Sequence, residues 1–235
     1  QGLILHWLVG QPRRGLERAL QRSLLHAQRQ WRLAQVLPVL AKWQGLGYNR
    51  RAVALRETAR IISELHSGCV PDAPEVLCTF PGIGPATAAS IAAFAFDKPT
   101  IFLETNIRTV IIHHFFDDVP SVTDDDILPV ATRAIDKRSP RKWYSAVMDY
   151  GTMLKKEVGN LSRRSTTYKK QSPFIGSMRQ LRGGALRILV AQQPATSAEI
   201  ATALGSDCAT METVLGKLVE EGLLTRAKGR YRIAR

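Results

Sequence analysis

A chain of 235 residues, 45% of them hydrophobic, has room for one large domain or for a medium one with a small companion, each around an ordinary soluble core. Its net charge of +13 points toward a polyanionic partner such as nucleic acid or an anionic membrane surface, and no apolar run reaches the roughly 18 residues that a membrane-spanning helix needs. Three scattered cysteines, Cys69, Cys78 and Cys208, argue against a disulfide framework and for a reducing, cytoplasmic setting.

The charge is uneven along the chain. Residues 1–56 carry ten Lys/Arg against the single acid Glu17, and residues 137–187 carry thirteen against Asp149 and Glu157. Residues 57–136 between them are net acidic. Two basic blocks around an acidic middle suit a protein that grips a phosphate backbone, although a merely basic soluble protein has the same composition. At the N-terminus Gly2–Gly10 is apolar, but it is short, has no basic region before it and is followed by Arg13 and Arg14, so no signal peptide is expected.

In chain order, apolar residues at helical spacing predict helices at Leu16–Leu25, Leu33–Trp43, Ala52–Leu65, Pro85–Phe96 and Asn106–Phe116, with another near Trp143–Leu154. Prolines 71, 74, 81, 99 and 120 punctuate them. From Asn160 to Ser177 the composition turns to Ser, Thr, Lys, Arg and Gln, which marks residues 160–180 as a basic linker between domains at 1–159 and 181–235. The last segment predicts a helix at Arg182–Ala191. A capping box, Thr196-Ser197-Ala198-Glu199, opens a second helix that stops at Gly205. A third is capped by Asp207 and ends at Gly222, and Leu223–Ala227 and Tyr231–Ala234 flank the turn Lys228-Gly229. Three helices and a β-hairpin make a winged helix-turn-helix, serving DNA contact or dimerisation. Glu212, Glu220 and Glu221 against Lys217 leave its third helix poorly suited to a major groove, so the wing, with Arg226, Lys228, Arg230 and Arg232, is the better phosphate contact.

The most informative stretch is Phe80-Pro81-Gly82-Ile83-Gly84, between a short helix near Pro74–Cys78 and the helix opened by Pro85. Proline suits a first helical turn, where its missing N–H is not needed. The two glycines are expected at positive φ, Ile83 is expected to plug the hairpin into the core, and bare amides at the helix N-terminus form an anion site that Thr87 adjoins. Such a contact positions a duplex without reading its sequence.

With that element in place, residues from about Trp43 to Gly151 resemble the HhH-GPD superfamily of DNA glycosylases, especially the A/G-mismatch adenine glycosylases and endonuclease III. The matching stretches are Trp43-Gln44-Gly45-Leu46-Gly47-Tyr48, Phe80 to Thr87, Phe102-Leu103-Glu104-Thr105-Asn106-Ile107-Arg108-Thr109-Val110, and Ala146-Val147-Met148-Asp149-Tyr150-Gly151. The resemblance implies an all-α helix-hairpin-helix glycosylase core followed by the small winged helix, acting on a mispaired or damaged base in double-stranded DNA. It places the catalytic carboxylate at Glu104, where breaking an N-glycosidic bond builds positive charge on the sugar. It gives Asn106 a part in organising that site. It makes the loop of Gly45, Gly47 and Tyr48 fill the gap left by a flipped base, with Tyr48 stacking. Arg50, Arg51 and Arg108 follow as phosphate contacts. Plainer roles stand beside these: a helix N-terminal acid for Glu104, a packed edge for Tyr48, a solvated helix face for Arg50 and Arg51. His113-His114 with Asp117-Asp118 invites a metal, but a helix end explains them better.

The sequence departs from the family pattern in four places. Glu104 replaces aspartate, moving the carboxylate outward by roughly 1.5 Å. Ala86 stands where bifunctional members carry the Schiff-base lysine, so base release without strand cleavage is expected. The four-cysteine loop is missing, so no iron–sulfur cluster is expected, while a monovalent cation at the hairpin has room; the basic stretch Arg163–Lys170 is a substitute DNA contact. Residues 1–32 contain neither the family's intercalation motif nor its acid/base glutamate, so the N-terminus reads as truncated or altered, with Glu17 the only acid available.

Overall fold

The computed structural model describes residues 36–234. The helix expected at Leu16–Leu25, the first residues of the one expected at Leu33–Trp43, and Glu17 lie outside the described residues. What is described is ten α-helices, one 3-10 turn and a three-stranded sheet, arranged in two compact units: residues 71–171, and residues 36–70 together with 172–234. The division expected at 159 and 181 follows composition along the chain, whereas compactness groups the first two helices with the C-terminal region.

Residues 71–171 hold helices α3 (Pro74–Leu77), α4 (Pro85–Phe96), α5 (Thr105–Phe115), α6 (Asp124–Ala134) and α7 (Pro140–Glu157), then a 3-10 turn at Leu161–Arg164. Ile107, Ile111 and Ile112 recur at helical spacing on α5 and are buried with Ala93, Phe102, Val122, Ile127 and Tyr144. Phe102 and Tyr144 stack at 4.2 Å between centroids, and the Tyr144 hydroxyl donates to Thr100 O at 2.8 Å, so the largest ring of this core has its one polar atom satisfied. Burial pushes that phenol up to about 12.

Helix α6 falls between the helices expected at Asn106–Phe116 and Trp143–Leu154, in a stretch with no expected helix. Thr123 and Asp126 form a capping box, and the three acids sit on the positive end of the helix dipole. Residues 160–171 are folded onto this unit: Val122 bridges Ser165, and Arg164 donates to the carbonyls of Phe116, Asp117 and Val119 just beyond α5.

The other unit begins with α1 (Val36–Trp43) and α2 (Arg50–Leu65) and resumes with α8 (Met178–Ala191), β1 (Ala195–Thr196), α9 (Ser197–Leu204), α10 (Cys208–Glu220), β2 (Leu224–Ala227) and β3 (Arg230–Ile233). The sheet runs β1-β3-β2, antiparallel throughout, with Ala195 opposite Tyr231 and Leu224 opposite Ile233. Helix starts match their local chemistry: Thr196 and Glu199 form the expected capping box, Gly205 ends α9 in the left-handed region, and Asp207 caps α10. This is a winged helix. Its core of Leu186, Leu189, Ile200, Met211, Leu215 and Tyr231 is continuous with Val36, Val39, Leu40 and Trp43, so α1 and α2 share one core with the wing-bearing region.

Candidate DNA-processing site

The hairpin is built as its residues dictate, with two corrections. Gly82 has φ +73°, a left-handed turn that other residues enter only with strain, but Gly84 has φ −90° and ψ 175°, ordinary extended backbone. A Cβ on Gly84 would meet nothing within 4 Å, so no part of the described chain demands glycine there. Nor is Ile83 the plug: it is half-buried, and the hairpin is anchored by Phe80 and Leu77, which are 3% and 1% exposed. Gly84 is the N-cap of α4, no side chain caps that end, and Pro85 takes the first helical position. The result is an exposed helix N-terminus whose amides are open to an anion, with Thr87 half-buried one turn in. Ala86 lies exposed on the same turn.

In the same unit, Glu104 is the N-cap of α5. Its backbone is extended, and its Oε1 accepts from the amides of Asn106 at 2.7 Å and Ile107 at 2.9 Å. The helix role and the site role thus coincide: one oxygen is fixed by the backbone, and Oε2 has no hydrogen-bond partner among the described residues. Burial pushes the Glu104 carboxyl above the usual range, against the lowering effect of the two amides, Lys155 and Arg108.

Asn106 is turned by Lys155 of α7, whose Nζ donates to Asn106 Oδ1 at 2.5 Å. What lets the two helices meet is Gly151, where an added Cβ would fall 2.5 Å from Asn106 O and 2.8 Å from Asn106 Cβ. Lys155 follows Gly151 by one helical turn and so shares its face. Gly151 closes the last family-like stretch of the sequence and Lys155 lies just beyond it; the one-turn spacing between them is the sequence signal for its place.

Arg108 is placed differently from its expected role as a phosphate contact. Its Nε and Nη2 donate to the two oxygens of Asp124 at 3.0 and 2.8 Å, and Nη1 donates to Leu103 O at 3.2 Å. Its side chain is 18% exposed. A fork held on both edges braces the backbone entering Glu104 and joins it to the start of α6. This guanidinium also holds the Asp124 carboxyl below its usual range. His114 stacks on Tyr150, with Nε2 2.8 Å from its hydroxyl.

The remaining expected residues belong to the other unit. Between α1 and α2 the chain makes a tight loop in which buried Trp43 donates its indole N–H to Gly47 O at 2.7 Å. Gly45 and Gly47 have positive φ, and so does Tyr48, at +47°, with 59% of it exposed. A tyrosine in that region is strained by its Cβ, and here the strain projects a ring into solvent. Arg50 is exposed; Arg51 is half-buried, and burial lowers its pKa.

On the wing, Lys228 and Gly229 form the turn, both at positive φ as a two-residue hairpin requires. Lys228 and Arg232 are exposed with no partner among the described residues, while Arg230 is drawn to Pro194 O at 3.2 Å and Glu199 at 3.4 Å. Arg226 lies over the Tyr231 ring at 5.3 Å. On α10, Glu212 accepts from Ser197 and Tyr231, both at 2.6 Å.

The donor set does not fit an iron–sulfur cluster, which takes four thiolates: Cys69, Cys78 and Cys208 are all free and exposed, and only Cys208 follows Gly151. No helix among the described residues is long and apolar enough to cross a membrane.

Comparison with known proteins agrees with both parts of this architecture. Residues 179–229 match the MarR family. The adenine DNA glycosylase of Mycobacterium tuberculosis (strain H37Rv) is 32% identical over 220 residues, covering 84% of this chain and 72% of the relative. That of Mycolicibacterium smegmatis is 30% identical over 215 residues, covering 83% and 73%. The adenine DNA glycosylase of Rattus norvegicus is 33% identical over 113 residues, 46% of this chain and 22% of the relative.

Proposed function

This chain belongs to the adenine DNA glycosylase family within the HhH-GPD superfamily, and from that premise we propose that it is a monofunctional DNA glycosylase of base excision repair, hydrolysing the N-glycosidic bond of a mispaired or damaged base in duplex DNA, with mispaired adenine the favoured substrate. The observation that carries this reading is Glu104, a half-buried carboxylate with Oε1 held by two amides and Oε2 without a partner among the described residues. As the C1′–N bond breaks, its electron pair leaves with the base and positive charge develops on the sugar. The carboxylate balances that charge and accepts a proton from the water whose oxygen bonds C1′. The leaving base takes a proton from a separate acid.

Supporting features lie in both units. The open amides at Gly84 suit a phosphate, and the hairpin's bare backbone carbonyls suit a monovalent cation. The Tyr48 ring suits stacking where a base has been flipped out, and Arg50, Lys228 and Arg232 suit phosphate contact. Ala86 offers no amine, which favours base release without strand cleavage. A second reading is favoured by one observation: capping α5 is a sufficient structural reason for Glu104, and a glycosylase scaffold used only to bind DNA has the same cap.

Labelled duplexes bearing A·8-oxoG, A·G, U·G and T·G, incubated and then treated with alkali, separate the two. The glycosylase reading expects strand cleavage that depends on alkali. It also expects Glu104→Gln to keep duplex affinity while slowing base release by about 100-fold or more. Binding without base release across the panel gives the scaffold reading. A borohydride-trapped covalent adduct contradicts monofunctional chemistry.

A further inference from the structure

We propose that Lys155 is a positioning residue of the base-release site, fixing the Asn106 amide in one orientation and serving as the counter-charge that keeps Glu104 an anion. The inference rests on the glycosylase reading of Glu104 and deepens it.

The geometry begins with Gly151. Because a Cβ there would strike the backbone of Asn106, α7 can lie against the first turn of α5 only where this position is bare. One turn later, the Lys155 stem runs beside the same turn and places Nζ 2.5 Å from Asn106 Oδ1. An ammonium only donates, so the atom it meets must be the amide oxygen, and the amide –NH2 is directed elsewhere. Asn106 thereby offers a fixed donor edge, suited to an acceptor such as a purine ring nitrogen or the sugar oxygen. Without Lys155 both amide orientations become available.

The charges facing Glu104 give the second half of the inference. From its own helix comes Arg108, whose guanidinium is already answered by both oxygens of Asp124 on α6. From α7 comes Lys155, which forms no salt bridge among the described residues, meets Asn106 Oδ1, and attracts Glu104 at longer range. Lys155 is therefore the cation not already neutralised elsewhere. Burial pushes Glu104 up and Lys155 down, each toward its neutral form, and the attraction between them opposes burial in both. Removing the ammonium leaves the burial of Glu104 less opposed, so its titration must move further up. If base release needs the anion, the acid limb of the pH–rate profile moves to higher pH with it.

The test compares wild type with Lys155→Met, Lys155→Arg and the exposed neighbour variant Lys156→Met. One readout, the carbon-13 titration of the Glu104 carboxyl, needs no activity; the other is the pH profile of single-turnover base release. Lys155→Met should raise the Glu104 midpoint, shift the acid limb upward by the same amount and slow base release near neutral pH by about 10- to 100-fold, with duplex affinity little changed. Lys155→Arg should restore the midpoint, because charge is kept, and Lys156→Met should match wild type. A Glu104 midpoint unmoved in Lys155→Met overturns the proposal. Should that variant not fold, the reciprocal measurement decides: Glu104→Gln must lower the Lys155 midpoint, and an unchanged value overturns the proposal. If no duplex in the panel releases a base, the glycosylase reading fails by itself while the titrations still decide the coupling.

Discussion

Residues 71–171 turn their key charged side chains inward: Arg108 is gripped by Asp124, Lys155 by Asn106, and Arg164 by three carbonyls past the end of α5. In the unit formed by residues 36–70 and 172–234, Lys228 and Arg232 point to solvent, and the Tyr48 ring is more than half exposed. The difference follows from what each chemistry requires. Stabilising a developing cation needs fixed charges partly removed from water, where they act strongly and need not reorganise. Holding a duplex needs hydrated cations that displace counterions and tolerate any sequence. Substitutions at Glu104, Asn106 and Lys155 should therefore change rate, and those at Lys228 and Arg232 should change affinity.

The sharpest way to break this comparison is a pair of glycines, one in each unit. At Gly151 an added methyl meets backbone, Asn106 O at 2.5 Å, which cannot move without shifting the start of α5. At Gly184 it meets Leu204 Cδ2 at 2.8 Å, the far end of a flexible side chain. Gly151→Ala should destabilise the fold by about 1–3 kcal/mol and, by displacing Glu104 and Asn106 together, slow base release by about 100-fold. Gly184→Ala should cost less in urea unfolding and leave the single-turnover rate alone. Equal effects of the two on rate would mean that the α5–α7 contact is not what sets the site.

A smaller effect is expected from the wing. Replacing Lys228 and Arg232 with Gln removes two cations that have no partner among the described residues, so the slope of log affinity against log salt should become shallower by about 2. The loss should be the same for matched and lesion-bearing duplexes, with base release at saturating enzyme unchanged. A drop in the saturated rate would give the wing a part in the chemistry and erase the distinction between the units. Arg230 makes a useful contrast: its ties to Pro194 and Glu199 should make Arg230→Gln cost less affinity than either of the other two replaced singly.

The features legible in the sequence were those fixed by neighbouring residues. Pro85 after a glycine pair, the Thr196–Glu199 box and the Lys228-Gly229 turn each specify local backbone, and the fold class followed from them together with helical periodicity. What escaped depended on contacts between distant segments. Lys155 acquires its role only when Gly151 brings α7 against α5, and its one-turn spacing from Gly151 sets it apart from Lys156 only once that contact is known. Arg108 looked like a phosphate contact because a sequence does not display Asp124 sixteen residues away as its partner. Val36, Leu40 and Trp43 are visibly apolar, but hydrophobic burial is not directional, and the pattern does not say that their core is shared with Leu186 and Leu189. Helix α6 carries a local start signal in Thr123 and Asp126, but only Ile127 and Ala131 of it are buried, so its apolar stripe is thin.

The finest test concerns Tyr48, where the two reasons for keeping a residue can be separated within about 1 kcal/mol. At φ +47° a tyrosine bears a left-handed penalty of roughly 1–2 kcal/mol, which glycine avoids, although glycine returns up to about 1 kcal/mol of that through the entropy of the unfolded chain. Tyr48→Gly should therefore unfold in urea at or slightly above the wild-type midpoint. Tyr48→Ala keeps the strain and loses the ring, so it should unfold at or slightly below wild type. If the ring is there to stack where a base has been flipped out, both variants must lose base release to a similar extent, whatever the sign of their stability change. If the ring only packs on the loop that Trp43 holds through Gly47, both variants should instead lose stability together while base release persists. A stability gain in the glycine variant paired with a rate loss in both would leave only function to explain why a strained, exposed aromatic residue stands at this position.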